Sequence, residues 1–244
     1  MDGIQDKRKT WRLAASLLLA GVLASIVAGL FHAESHDANN HVASFTAYAN
    51  SGIWTAVHLG QFVGMALVCA GLVSLWAALG LRQHGMAWVA RFGALAAAAA
   101  LALHAALQSV DGVALKQAVD TWAAAPEAER TARFATAEGV RWLEWGLRSY
   151  QSFLLGTALV LLGVVVAATH RVPRIIGLLM ALSGLAYLAQ GWIIGETGFS
   201  DANSVPTLIG IIAIVAATVW LEVSAWRLKQ TTAGSFGSPE SIAP

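Results

Sequence analysis

The sequence predicts an all-α polytopic membrane protein, a bundle of six transmembrane helices. Only 12% of its 244 residues are charged and 57% are hydrophobic, whereas a soluble globular domain carries about 25% charged residues. Apolar runs of about 20 residues recur along the chain, and each is long enough to cross the roughly 30 Å hydrocarbon layer. Six such runs lie at residues 11–31, 53–80, 87–115, 141–168, 174–195 and 205–228.

The first run is interpreted as a retained transmembrane helix. A basic segment, residues 7–12, precedes the apolar stretch 13–30, as in a secretory signal peptide. The stretch is longer than the roughly 7–15 residues of a signal peptide's hydrophobic region, so retention is favoured.

The connections between the later runs carry helix start and stop signals. Pro173 lies in the short loop 170–174, where it ends one helix and begins the next. Between the third and fourth runs a polar segment extends to about residue 140. Within it, Pro126 followed by Glu127 and Glu129 predicts a helix start, because proline is tolerated in a first turn and acidic residues stabilise a helix N-terminus.

The distribution of basic residues predicts the orientation in a bacterial inner membrane, because lysine and arginine near span ends are enriched on the cytoplasmic side. With both termini cytoplasmic, the cytoplasmic segments hold Lys7, Arg8, Lys9, Arg12, Arg82, Arg91, Arg171, Arg174, Arg227 and Lys229. The opposite side holds only Lys116, Arg130, Arg133, Arg141 and Arg148. Residues 1–230 are predicted to form one transmembrane domain. Residues 231–244, rich in Gly, Ser and Thr, are predicted to form a disordered cytoplasmic tail.

Four of the predicted helices carry polar side chains on one face, always in the half next to the non-cytoplasmic side. Spacings of three, four and seven residues place each set on a single stripe of its helix. The second to fifth runs contribute, in order, His58 and Gln61; His104, Gln108 and Asp111; Arg141, Glu144, Arg148 and Gln151; and Tyr187 and Gln190. Because a charge within the membrane is unfavourable unless paired or hydrated, these faces are expected to meet.

Two interpretations of this polar region remain open. In the first, the faces line a ligand pocket that opens to the non-cytoplasmic side. Arg148 would then hold a ligand carboxylate or phosphate, since its planar guanidinium suits bidentate contact. In the second, the side chains form a self-satisfied structural plug, in which Glu144 pairs with Arg141 or Arg148 and Asp111 takes the remaining arginine.

Histidines offer an alternative in which the protein holds haem or a divalent metal. His58 and His104 on neighbouring helices could ligate a haem iron, copper or zinc. In the first outer loop, His32, His36 and His41 could bind a divalent metal, with His32 and His36 one helical turn apart. The single cysteine, Cys69, lies in an apolar run and forms no cysteine-based metal motif.

The stretch Val172-Pro-Arg-Ile-Ile-Gly177-Leu-Leu-Met-Ala-Leu-Ser-Gly184-Leu-Ala-Tyr187-Leu resembles an uncharacterised bacterial family of six-span membrane proteins, a domain of unknown function. In that family a proline-containing inner turn leads into a glycine-spaced helix that ends in a Tyr-Leu pair. The resemblance implies a six-helix bundle in a bacterial inner membrane, and it assigns no catalytic residue.

The sequence therefore favours an integral membrane protein that binds a small polar, anionic or amphiphilic ligand for transport or sensing. The alternatives are a membrane oxidoreductase with haem or metal on His58 and His104, and a structural or assembly subunit of a membrane complex. Expected partners are the lipid bilayer and a small molecule. No basic block suggests nucleic acid, and the sequence is compatible with an oligomer.

Overall fold

The computed structural model describes residues 2–33, 38–81 and 85–228, except for the side chains of residues 2–7. The described residues form helices and no strands. The α-helices are α1 Asp2–Leu30, α2 His41–Ala49, α3 Trp54–Leu79, α4 Gly85–Ser109, α5 Lys116–Ala123, α6 Glu127–Thr169, α7 Arg174–Thr197 and α8 Ser204–Arg227. A π-helical turn, Val110–Leu115, joins α4 to α5, and a short 3-10 turn, Asp201–Asn203, precedes α8. The predicted tail 231–244 lies outside the described residues.

Six of these helices are long and apolar enough to cross a membrane: α1, α3, α4 with its continuation into α5, α6, α7 and α8. The all-α, six-span fold class predicted from the sequence is therefore confirmed. The largest difference from the predicted bounds is in α6, which begins at Glu127 and runs unbroken for 43 residues. Pro126 precedes its first turn, and Glu127 and Glu129 lie within that turn, so the predicted helix start and the fourth span belong to one helix.

The six long helices form a closed ring in chain order. Each packs against the spans before and after it, and α8 closes the ring on α1. Arg12 of α1 lies 4.3 Å from the ring centroid of Trp226 of α8, so the beginning of α1 and the end of α8 share one end of the bundle. We call this the base end, and we call the opposite end, which carries α2 and α5, the cap end.

The base half is packed by apolar and small side chains. One continuous core of buried residues there includes Leu18, Leu72, Leu162, Met180 and Leu221, from five of the helices. Glycines bring α6 and α7 into backbone contact, because a Cβ on Gly163 would lie 2.6 Å from the carbonyl oxygen of Gly177. Small residues at such positions let membrane helices approach closely.

The cap end is closed by a second apolar cluster that is rich in aromatic rings. It joins α2, the first residue of α3, the π-helical turn, α5 and α6. Its buried members are Phe45, Tyr48, Trp54, Leu115, Val119 and Ala137. Two of its rings lie next to polar side chains of the spans: Tyr48 next to Arg141 and Trp54 next to His58.

Candidate functional site at the cap end

Arg141 and Glu144 form a buried ion pair on α6, one helical turn apart. Both residues are only 3% exposed. The Arg141 guanidinium also lies 5.5 Å from the ring centroid of Tyr48 and 5.0 Å from that of Phe199. A cation over aromatic faces is attracted by the ring quadrupole, so Arg141 is held by an acid on its own helix and by rings above it.

A second buried pair links α3 to the π-helical turn. His58 Nε2 lies 3.1 Å from Asp111 Oδ2. His58 Nδ1 lies 2.8 Å from the carbonyl oxygen of Trp54, and the Trp54 indole donates to the carbonyl oxygen of Asp111 at 3.1 Å. The close approach depends on Gly112, because a Cβ there would lie 2.8 Å from the His58 Cβ. π-Helical turns inside α-helices are frequent at functional sites.

His32, from the segment after α1, lies beside this second pair. Its ring centroid lies 5.2 Å from that of Trp54 and 5.3 Å from that of His58. Burial lowers the pKa of His32 to about 4, against the opposing effect of the nearby Asp111 carboxylate. Burial likewise raises the pKa of Tyr48 to about 12, so its phenol stays protonated at neutral pH.

The polar faces of α3 and α4 meet through amide contacts. Gln108 Nε2 donates to Gln61 Oε1 at 3.3 Å and lies 3.3 Å from His104 Nε2. His104 is buried. His58 and His104 thus have different polar partners, Asp111 and Gln108.

A further set of hydrogen bonds joins α6, α7 and α8. The hydroxyl of Ser152 donates to Gln190 Oε1 at 3.3 Å, and Gln190 Nε2 donates to Thr207 Oγ1 at 2.8 Å. The amide of Gln151 contacts the Met65 sulfur at 3.9 Å. Through these contacts α8, for which no polar stripe was predicted, joins the polar region.

Arg148 differs from the other charged residues of the polar region. No carboxylate in the described part of the chain lies within ion-pair distance of it, and its buried Nε has no hydrogen-bond partner. The side chain borders a cavity of about 70 Å³ between α6, α7 and α8. The residues that line the cavity are Arg148, Ala186, Tyr187, Gln190, Pro206, Thr207, Gly210 and Ile211.

The histidines of the first loop are divided among different partners. His32 lies beside His58, whereas His41 Nδ1 lies 2.9 Å from Glu138 Oε1 and its ring stacks on Phe45. His36 lies outside the described residues. In the part of the chain that the structure describes, the histidines predicted as one metal site thus contact different residues.

The comparisons with known proteins place the chain in a family. A family model described as "Domain of unknown function (DUF4386)" matches residues 13–224. The chain belongs to this family. The match covers all six spans of this DUF4386 chain, far more than the stretch around Gly177 and Gly184 that suggested the resemblance. No curated protein and no solved structure matches the chain.

Some polar residues of this DUF4386 chain were missed by the sequence reasoning. Glu222 on α8 lies near the base end, where it accepts hydrogen bonds from the Ser16 hydroxyl at 2.9 Å and the Trp226 indole at 2.7 Å. The spacing of Glu222 and Trp226, four residues apart on one helix, could have signalled this contact. Trp54, whose indole and carbonyl contact Asp111 and His58, was also not among the predicted site residues.

Proposed function

We propose that the protein binds a small anionic or amphiphilic ligand through its acidic group, in the cavity beside Arg148. The site would serve transport or sensing in a bacterial inner membrane and would face the non-cytoplasmic side, with both termini cytoplasmic. The ten-to-five distribution of basic residues supports this orientation. The observation that carries the proposal is the half-buried guanidinium of Arg148, which has no acidic partner among the described residues.

The neighbouring charges explain why Arg148 is available. The two buried carboxylates that the structure describes in this region, Asp111 and Glu144, already have partners in His58 and Arg141. A buried charge without a partner is unfavourable, and an anion within hydrogen-bond distance would stabilise it. The planar guanidinium suits bidentate contact with a carboxylate or phosphate.

The size of the cavity limits what can enter it. At about 30 Å³ per water molecule, a volume of about 70 Å³ holds roughly two waters or one carboxylate group. Tyr187, Gln190 and Thr207 line its walls and supply polar atoms. The cavity therefore fits the acidic group of a ligand and not the body of a large polar molecule.

The surroundings of the cavity favour an amphiphile over a free anion. Ile211 lines both this cavity and an open apolar surface along the exterior of α8. This surface is formed by Ile211, Ile212, Val215, Ala216, Val219, Trp220 and Val223. An acyl chain that lies along this surface would place its carboxylate next to Arg148.

The test compares acetate, dodecanoate and dodecanol as probes on the full chain in detergent, with affinity measured by calorimetry. Dodecanoate is expected to bind more tightly than acetate, and dodecanol, which lacks the charge, more weakly than dodecanoate. Arg148→Gln is expected to weaken dodecanoate binding about ten- to hundredfold, the equivalent of losing a charged hydrogen bond of about 1.5–3 kcal/mol. Arg148→Lys should retain part of the affinity.

Arg133→Gln is the matched control, because Arg133 is an exposed arginine on the same helix that pairs with Glu129. It removes the same charge and should leave dodecanoate affinity unchanged. Equal affinity in wild type and Arg148→Gln, or no binding of either acid, would overturn the proposal. A large loss of thermal stability in Arg148→Gln without any ligand binding would instead support the structural plug.

A further inference from the structure

His32, His58 and Asp111 bring three metal-binding side chains to one point at the cap end. One ligand atom from each residue lies within 4.8 Å of the other two. The three come from different parts of the chain: the segment after α1, the first turns of α3 and the π-helical turn. This group shares His58 and His32 with the two histidine sets suggested by the sequence, but it replaces their other members with a carboxylate.

The hydrogen bonding of His58 determines which of its ring nitrogens is available. The carbonyl oxygen of Trp54, 2.8 Å from Nδ1, is only an acceptor, so Nδ1 carries the proton of the neutral imidazole. Nε2 then presents a lone pair towards Asp111 Oδ2, 3.1 Å away. Two acceptors at this distance repel each other unless a cation, either a proton or a metal ion, lies between them.

A metal ion satisfies this group more completely than a proton does. The separation of His58 Nε2 and Asp111 Oδ2 is that of an ion pair, but Nε2 makes no aligned hydrogen bond, and Asp111 Oδ1 is also buried without a partner among the described residues. A proton on His58 Nε2 would interact with Asp111 Oδ2 and would contact neither Asp111 Oδ1 nor the His32 ring. A metal ion uses the imidazole of His32 as a third ligand.

We propose that His32, His58 and Asp111 bind a divalent transition-metal ion of the zinc class. Two imidazoles and one carboxylate are a common donor set for such ions, and they leave a coordination position open for water or an anionic group. In a tetrahedral site with bonds of about 2.0–2.1 Å, neighbouring ligand atoms lie about 3.3 Å apart. The 3.1 Å between His58 and Asp111 is close to that spacing, and a ligand atom of His32 lies within 4.8 Å of both.

The groups around the three ligands act as orienting partners. A metal-binding histidine usually donates its other ring N–H to a carbonyl or carboxylate, which fixes its tautomer. The Trp54 carbonyl does this for His58, and the Trp54 indole holds the Asp111 backbone. The nearby Arg141 is paired with Glu144, which reduces its repulsion of a bound cation.

The experiment measures zinc and cobalt(II) bound to the full chain in detergent, after loading with each metal alone and removal of the excess. We expect about one ion per chain and visible absorption bands of bound cobalt(II). His32→Gln, His58→Gln and Asp111→Asn should each lower metal affinity tenfold or more. His32 lies in the segment after α1 and outside the spans, so His32→Gln tests the site even where the other two variants fail to fold.

His41→Gln is the matched control, because His41 is a neighbouring histidine paired with Glu138. It should bind the metal as wild type does, whereas an equal loss in His41→Gln would favour the outer-loop histidines and overturn the proposal. Absence of bound metal in wild type, or unchanged binding in His32→Gln, would also overturn it. The proposed anion site is tested separately, since Arg148→Gln should leave metal binding unchanged.

Discussion

The two halves of α6 are stabilised by different kinds of buried contact. In the cap half, Arg141 and Glu144 are buried as a pair, and Arg148, which has no acidic partner in the described part of the chain, borders a cavity. In the base half, Gly163 lies against the backbone of α7 among Leu162, Met180 and other apolar side chains. The base half thus depends on close apolar packing, whereas the cap half depends on the correct pairing of charges.

The largest effect is expected from breaking the buried pair of the cap half. Arg141→Gln leaves the Glu144 carboxylate without its partner, and removing one member of a buried pair costs about 3–5 kcal/mol. Thermal unfolding of the purified protein in detergent measures the loss. The double variant Arg141→Gln/Glu144→Gln should recover much of it, because neither charge of the pair then remains.

The exposed pair between Arg133 and Glu129, on the same helix, is the control for this comparison. Arg133→Gln is expected to cost only about 0.2–1 kcal/mol. If Arg141→Gln lost no more than Arg133→Gln, the description of the cap half as charge-dependent would be wrong.

A smaller effect is expected from enlarging a glycine in the base half. Gly163→Ala places a Cβ 2.6 Å from the Gly177 carbonyl oxygen and forces α6 and α7 apart, at a cost of about 1–3 kcal/mol. Gly146→Ala is the matched control on the same helix, where a Cβ meets nothing within 4 Å. Alanine there should stabilise the helix by up to about 1 kcal/mol. Similar melting temperatures for the two variants would contradict close packing as the basis of the base half.

The smallest effect is expected at the one acidic side chain found near the base end among the described residues of α8. Glu222→Gln replaces a carboxylate, which accepts hydrogen bonds from Ser16 and Trp226, with a neutral amide. The amide oxygen can still accept one of these hydrogen bonds. The expected loss is about 0.5–1.5 kcal/mol, measured by the same unfolding assay. A loss as large as that of Arg141→Gln would show that the base half also depends on a charge.

The sequence was enough to predict the fold class and which polar residues share a helix face, because both depend on local properties. Runs of about 20 apolar residues specify membrane-spanning helices by length and composition. The spacing of Arg141, Glu144 and Arg148 specifies that they share a helix face whatever that helix packs against. The start of α6 at Glu127 was predictable from Pro126, but its continuity with the fourth span was not, because a polar segment looks the same whether or not it extends a span.

The sequence by itself therefore determined that the protein is a six-helix membrane bundle with polar faces towards one end. Only the tertiary structure decided which polar groups pair: Glu144 with Arg141, Asp111 with His58, and Arg148 with neither carboxylate. The physical reason is that pairing depends on contacts between distant segments. The approach at Gly112 brings Asp111 to His58, and the turn after α1 brings His32 to both. Helical periodicity contains no information about these contacts.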